Sequence, residues 1–477
     1  MEPMDIDDFQ NASDAFLTWL KNNGATISSS VQLADLRGRA AGRGVVATQD
    51  LSEDEELFSI PRASILTNET TDLPANLRKE LDHPWLSLIL VMVHEYLKGT
   101  KSSWYPYFNL LPETFDSLMF WSDEELLSLK GSAVVDKIGK ESADSTFTEQ
   151  LIPLIAQHAN IFQTAGRSND ELLSLCHRMG STIMAYAFDL EKPEPSQPPN
   201  QQDDEEWEEE ESAISLPKGM IPLADMLNAN ADHNNAKLFY QDDKVVMKTL
   251  HAVRAGEELF NDFGPLPRSD LLRRYGYVTD QYAKYDVVEI SEELIKEQAI
   301  AIGGGGVQQE EKEKKKKKDL EDKWTYAEEQ GITDDAYDIA RANCSADREG
   351  QQQQFPEELC ILLNLLVLPS AEFEKLKKRD KLPKAELTSD AKNLLRAILV
   401  HRYADYPVEM LVPSSMGAGG RTARFAMAEQ VIMGEKQVLQ EAVAAVSEAN
   451  GNNDNKRKRS AETLEDEANA IRQPAKK

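Results

Sequence analysis

Residues Ile221–Tyr240 read IPLADMLNANADHNNAKLFY, and residues Ala255–Val278 read AGEELFNDFGPLPRSDLLRRYGYV. The first opens with an apolar run to Leu227, which predicts a short buried element delivering Asn228 to an interior surface. A buried asparagine must commit its amide to partners. The polar residues that follow form a loop, where His233 reads as solvated because no histidine or cysteine stands near it at metal-ligand spacing. Ala236–Tyr240 and Lys244–Thr249 then predict two strands about the turn Gln241-Asp242-Asp243. The second stretch combines a turn at Arg254–Glu257, an aromatic strand end, and a short helix with Leu271, Leu272 and Tyr275. Tyrosines with apolar bodies and polar tips suit a tunnel for an aliphatic chain ending in an amine, although an aromatic core cluster would look alike.

Working outward, Arg37–Ala47 (RGRAAGRGVVA) places three glycines just before a strand. Glycine lets backbone amides approach a ligand without a β-carbon in the way. A plain hairpin turn needs glycine too, and no phosphate-binding GxxxxGK[ST] loop is present. Gly44–Asp50 and Glu56–Ile60 read as strands, after a short amphipathic helix over Asp14–Asn23. From Asp72 to Leu190 the periodicity turns helical, with Pro84–Lys98, Ser122–Leu129, Phe147–Phe162 and Glu171–Phe188 burying aliphatic side chains every three or four residues. Lys323–Glu448 is helical again. The chain is thus α+β, a β-rich unit split by a helical insertion and followed by a mainly helical domain.

Polar tracts punctuate this plan. Glu191–Ser215 holds prolines and then a carboxylate run, Gly303–Asp319 a glycine stretch leading into lysines, and Asn450–Lys477 the basic cluster Lys456-Arg457-Lys458-Arg459. Such compositions predict disordered loops and a disordered basic tail, the last resembling a nuclear-import signal. The 477 residues carry a net charge of −30. An acidic field disfavours phosphate backbones, so a basic protein is the expected partner, with no direct nucleic-acid contact. Cys176, Cys344 and Cys360 show no metal or disulfide spacing, which suits a reducing compartment. No stretch has the length of a membrane span, and carboxylates and histidines nowhere gather at metal-ligand spacing. The expected protein is monomeric, and nuclear with a possible cytoplasmic share.

Taken in order, the three segments resemble the SET domain in the split form of the Rubisco large-subunit methyltransferase group, closest to its fungal ribosomal-lysine methyltransferase branch. The resemblance implies S-adenosylmethionine-dependent methylation of a protein lysine, most readily on a large-subunit ribosomal protein. A histone or other nuclear protein is the alternative substrate, and a noncatalytic lysine-tail binder the alternative class. It implies the SET domain over 1–66 and 216–288, the insertion over 67–215, a substrate-binding domain over 289–449 and the tail over 450–477. The cofactor falls to Gly42, Arg43, Gly44, Asn228, Ala229, Phe263 and Tyr275, and catalysis to Tyr275 with Phe263. Two positions depart from the pattern. Ala229 stands where the group commonly has histidine, and Phe263 where most relatives carry a tyrosine facing the transferring methyl group.

Overall fold

The computed structural model describes residues 6–39, 42–81, 83–164, 166–191, 216–302, 310–342, 353–412, 422–447 and 454–472. The chain forms two contact units, one of residues 1–115 and 139–264, the other of 116–138 and 265–477.

The first unit contains the strands β1 (Thr26–Ile27), β2 (Val31–Asp35), β3 (Arg43–Ala47), β4 (Glu56–Pro61), β5 (Ala187–Asp189), β6 (Lys218–Met220), β7 (Asn228–Ala229), β8 (Ala236–Tyr240), β9 (Lys244–Thr249) and β10 (Glu258–Asn261). One sheet has the order β1-β4-β9-β8, a second the order β2-β3-β10-β7, and β5 pairs β6. The expected strands at 44–50 and 56–60 therefore lie in different sheets. The expected pair at 236–249 is a hairpin, with Tyr240 opposite Val245 and the Gln241 N–H donating to the Lys244 carbonyl at 2.9 Å.

Helix Pro84–Lys98 starts with proline, whose missing N–H costs nothing in the first turn, and stops at Gly99. Its residues Ser87–Glu95 are all buried, as an unbroken LSLILVMVH run requires of a helix surrounded by core. Helix Asn169–Tyr186 begins with a capping box, Ser168 accepting from the Glu171 N–H while the Glu171 carboxylate accepts from Ser168. The two helices share a core with Phe16, Phe58, Ile60, Met220 and Met247.

The second unit pairs β11 (Val287–Ser291) with β12 (Ala336–Ala340), and its helices bury Leu362, Leu394, Leu399, Val438 and Leu439. Residues 116–138, expected within the insertion, cluster here. Leu118, Trp121 and Leu129 enter this second core, and Ser132 donates to the buried Glu435 carboxylate at 2.7 Å. Residues 265–288, expected to complete the β-rich unit, cluster here as well.

Two polar tracts are helical where disorder was expected. The lysine run belongs to helix Glu310–Glu329. Lys316 donates to the Ile300 carbonyl at 2.7 Å, and Lys323 to those of Leu366 and Leu368 at 3.1 and 2.6 Å. These carbonyls end neighbouring helices and lack intrahelical partners, so cations there are stabilising. In the tail, helix Asp454–Arg472 buries Leu464 and Ala468, one turn apart, and Arg472 donates to the carbonyls of Tyr403 and Ala404, both at 3.1 Å. A two-residue apolar stripe in a charged sequence suffices once a helix pair receives it. The acidic tract 192–215 and the glycines 303–306 lie outside the described residues. No described helix is long and apolar enough to cross a membrane.

Candidate functional site

Strand β10 lies between β3 and β7, antiparallel to the first and parallel to the second, with Phe260 opposite Asn228 and Asn261 opposite Ala229. This arrangement brings together segments nearly two hundred residues apart in sequence. The half-buried Asn228 amide donates to the Arg43 carbonyl at 3.2 Å and to Glu258 Oε1 at 2.6 Å. Gly44 completes the cluster: a β-carbon there would lie 2.8 Å from Glu258 Oε1 and 3.0 Å from Asn228 Nδ2, and would strike Leu36. The absent side chain at 44 is thus taken up by the protein's own groups. Gly42, at φ +64°, is exposed with open space beside it, and its carbonyl accepts from the Leu36 N–H at 2.7 Å.

Arg43 separates the two glycines and points its guanidinium over the Phe9 ring, 4.1 Å from the centroid. Nη1 reaches the Leu110 carbonyl at 3.4 Å, whereas Nε and Nη2 are buried without hydrogen-bond partners. Burial, and then the nearby Arg37, lower its pKa. Arg37 is itself held by Asp35, through Nε–Oδ1 at 2.9 Å and Nη2–Oδ2 at 2.6 Å. The Arg37 hydrogen bonds keep the Asp35 carboxyl down at about 2. A half-buried cation with two buried, unanswered nitrogens fits an anionic carboxylate, since a charge-assisted bond would remove the penalty of leaving them bare.

The turn that delivers Asn228 is itself constrained. Leu223, 2% exposed, has φ +77° and ψ −40°, a conformation that costs a branched side chain on the order of 1–3 kcal/mol. Asp225 lies two residues on, buried, and accepts the Tyr107 hydroxyl. Desolvation pushes the Asp225 carboxyl up to about 7, countered in part by the Tyr107 hydroxyl and the backbone N–H groups of Asp225 and Leu223. Beyond β7, the Asn235 side chain extends the sheet like a strand, accepting from the Phe260 N–H at 2.8 Å and donating to the Glu258 carbonyl at 2.9 Å. Neither Glu258, Asp225 nor Asn235 was singled out from sequence. The only available signal was a polar residue within an apolar or strand-like run.

Phe263 follows β10 and is half-buried. Tyr275 lies in the second unit, at the end of helix Arg268–Tyr275. That helix is fixed at its start by Asp286, which accepts the Arg268 backbone N–H at 3.1 Å and the guanidinium Nε at 3.0 Å. It is fixed at its end by Gly276, φ +76°, where a β-carbon would come within 2.5 Å of the Ser117 nitrogen. The Tyr275 ring is half-buried, 6.3 Å from that of Tyr277, and burial raises its phenol pKa. His233 is exposed, as its loop position predicts. Asp72, His94 and Glu95 converge closely enough to hold a cation. Lys98 already occupies that place, 2.7 Å from Asp72 and 3.0 Å from Glu95.

Residues 42–264 match the SET domain family model. Over 91% of this chain and 92% of its own length, the Saccharomyces cerevisiae protein named Ribosomal lysine N-methyltransferase 4 is 31% identical. The chain belongs to the SET-domain family of protein-lysine N-methyltransferases. Human N-lysine methyltransferase SETD6 is 30% identical over 75% of this chain and 70% of its own. Among solved structures, Rubisco LSMT bound to sinefungin and monomethyllysine superposes with a TM-score of 0.63, at 20% identity over 91% of both chains. The LSMT SET domain bound to lysine and AdoHcy gives 0.62, at 19% identity over 96% of this chain and 93% of that one. The α+β SET fold expected from sequence is therefore present. As a SET methyltransferase the chain is an enzyme that uses S-adenosylmethionine.

Proposed function

We propose that this SET methyltransferase modifies a lysine of a large-subunit ribosomal protein in the nucleus. The carrying observation is the near full-length similarity to the yeast ribosomal lysine N-methyltransferase. The net charge of −30 agrees with a basic substrate, and Lys456–Arg459 supply the basic cluster expected of nuclear import. A monomer acting without direct membrane contact completes this reading.

Gly42, Arg43, Gly44, Asn228 and Ala229 would hold S-adenosylmethionine, with Arg43 answering its carboxylate and Asn228 fixing the strand edge it lies against. The cofactor supplies an electrophilic methyl group when bound. Phe263 would complete the cofactor site and supply a wall of the lysine channel; Tyr275, carried by the second unit, keeps the role that the resemblance implies, its hydroxyl orienting the amine. Lysine has an ordinary pKa of about 10.4 and reacts only after losing its proton. An aromatic, desolvated wall favours that loss, because burial penalises the ammonium form. Phe263 keeps such a wall while removing one oxygen.

Mass spectrometry of ribosomal proteins and histones from cells with and without the gene tests the substrate. A methyl-lysine lost from a large-subunit protein supports the proposal. A loss confined to histones replaces it with the histone reading.

A further inference from the structure

Residues 375–384 of the second unit, KLKKRDKLPK, contain six cations and one carboxylate. Lys375, Lys377, Lys378, Arg379, Lys381 and Lys384 are all exposed, and among the described residues none has an ion-pair partner. Lys375 and Lys377 close helix Ser370–Lys377, where cations also answer the helix dipole. Lys378 caps the helix end, and Arg379, Lys381 and Lys384 lie beyond it and have no such role.

The backbone carrying these charges is held in place. The Tyr326 hydroxyl donates to the Lys381 carbonyl at 3.2 Å, and Gln330 donates to Asp380 at 3.0 Å, occupying the one carboxylate. The buried Asn364 donates to the carbonyls of Lys384 and Glu386, at 2.9 and 3.0 Å. Lys377 packs 5.7 Å from the rings of Tyr326 and Phe373. On the helix that carries Tyr326, Lys317 and Lys318 are also exposed, roughly 12 Å further along at 1.5 Å per residue.

We propose that this basic surface binds the phosphate backbone of RNA. Carboxylates more than about 8 Å away are screened at physiological salt, so most of the chain's net charge acts weakly here; with the flanking Glu372, Glu374 and Glu386 counted, residues 370–386 still carry six cations against four carboxylates. This proposal departs from the expectation of no nucleic-acid contact, which was drawn from net charge. An acidic protein is the weaker fit. Leu376, Leu382 and Pro383 are half-buried, so the patch lacks the exposed aromatic or aliphatic anchors that dominate protein interfaces. Repeating phosphates need only spaced cations. The inference rests on local charge and geometry, independently of the methylation substrate.

The test is fluorescence anisotropy of the full-length protein with a labelled polyuridylate oligomer across a salt series. If three phosphates are engaged, log K should fall with log salt at a slope of about −2, from roughly 0.7 per phosphate for single strands. Reversing Lys378, Arg379, Lys381 and Lys384 to glutamate should weaken binding at least about tenfold at low salt. Glutamine at the same positions should weaken it less. Reversing the exposed Lys101 and Lys140 of the other unit should leave it nearly unchanged. Methylation of a free peptide by each variant reports that the fold survives. Absence of salt-dependent binding by the natural protein, or equal loss in the Lys101/Lys140 control, overturns the proposal. Equally tight binding of polyglutamate also overturns it, by showing a site for acidic polypeptide.

Discussion

The Asn228 side-chain nitrogen lies 2.6 Å from a carboxylate oxygen of Glu258, the first residue of the strand that separates Asn228 from the glycine-bearing strand. The second acceptor of that amide is the Arg43 carbonyl, so one side chain ties three strands across the candidate cofactor site. A hydrogen bond to a charged acceptor is worth about 1.5–3 kcal/mol. Glu258→Ala should therefore weaken S-adenosylmethionine binding roughly tenfold to a hundredfold. Calorimetric titration reads this directly, and an unchanged Kd would remove Glu258 from the site.

Gly44→Ala should destabilise the first unit by about 1–3 kcal/mol, the usual cost of overpacking, because Leu36, Glu258 and Asn228 already occupy the space. Gly42→Ala has open space and pays only for its positive φ, about 1–2 kcal/mol. Thermal unfolding should show a clear drop for both. Only Gly44→Ala should also disturb the Asn228 side-chain amide signals in NMR spectra.

Tyr275→Phe should lower kcat about tenfold to a hundredfold if its hydroxyl orients the amine, with a smaller change in the KM for S-adenosylmethionine. Phe263→Tyr restores an oxygen to the channel wall and should change kcat or the number of methyl groups added. Radiolabel transfer and mass spectrometry of the product distinguish these outcomes. Equal rates and equal products for all three proteins would refute both assignments.

Asp225 gives stability a defined pH dependence. Its folded carboxyl titrates near 7 against an ordinary value of 3.8. The native state therefore retains a proton that the unfolded chain releases, and this contribution is complete below about pH 4 and is lost as pH rises through 7. Unfolding midpoints measured between pH 5 and 8 should fall with rising pH by this mechanism. Asp225→Asn should flatten that decline, whereas a parallel curve would show that other groups carry it.

Much of the fold was legible because the hydrophobic pattern is local. The 15 residues of Pro84–Lys98 announce a buried helix, and the alternation on either side of Gln241-Asp242-Asp243 announces a hairpin. The tracts read from composition fared worse. The lysine run lies in a helix that is tied to one helix end through Lys316 and, beyond the run, to another through Lys323, and the basic tail is helical where Leu464 and Ala468 meet an existing core. Neither partner is visible in the residues that needed it.

The sequence by itself determined the family, the kinds of residue available to bind a sulfonium cofactor, and the order in which they occur, since propensity, periodicity and motif spacing are properties of a single strand of chain. Tertiary structure alone decided that Asn228 answers Glu258, that Gly44 makes room for both, that Arg43 is half-buried with two nitrogens unanswered, and that Tyr275 belongs to the second unit. Those facts depend on strand register and on burial, which arise only when distant segments exclude water together.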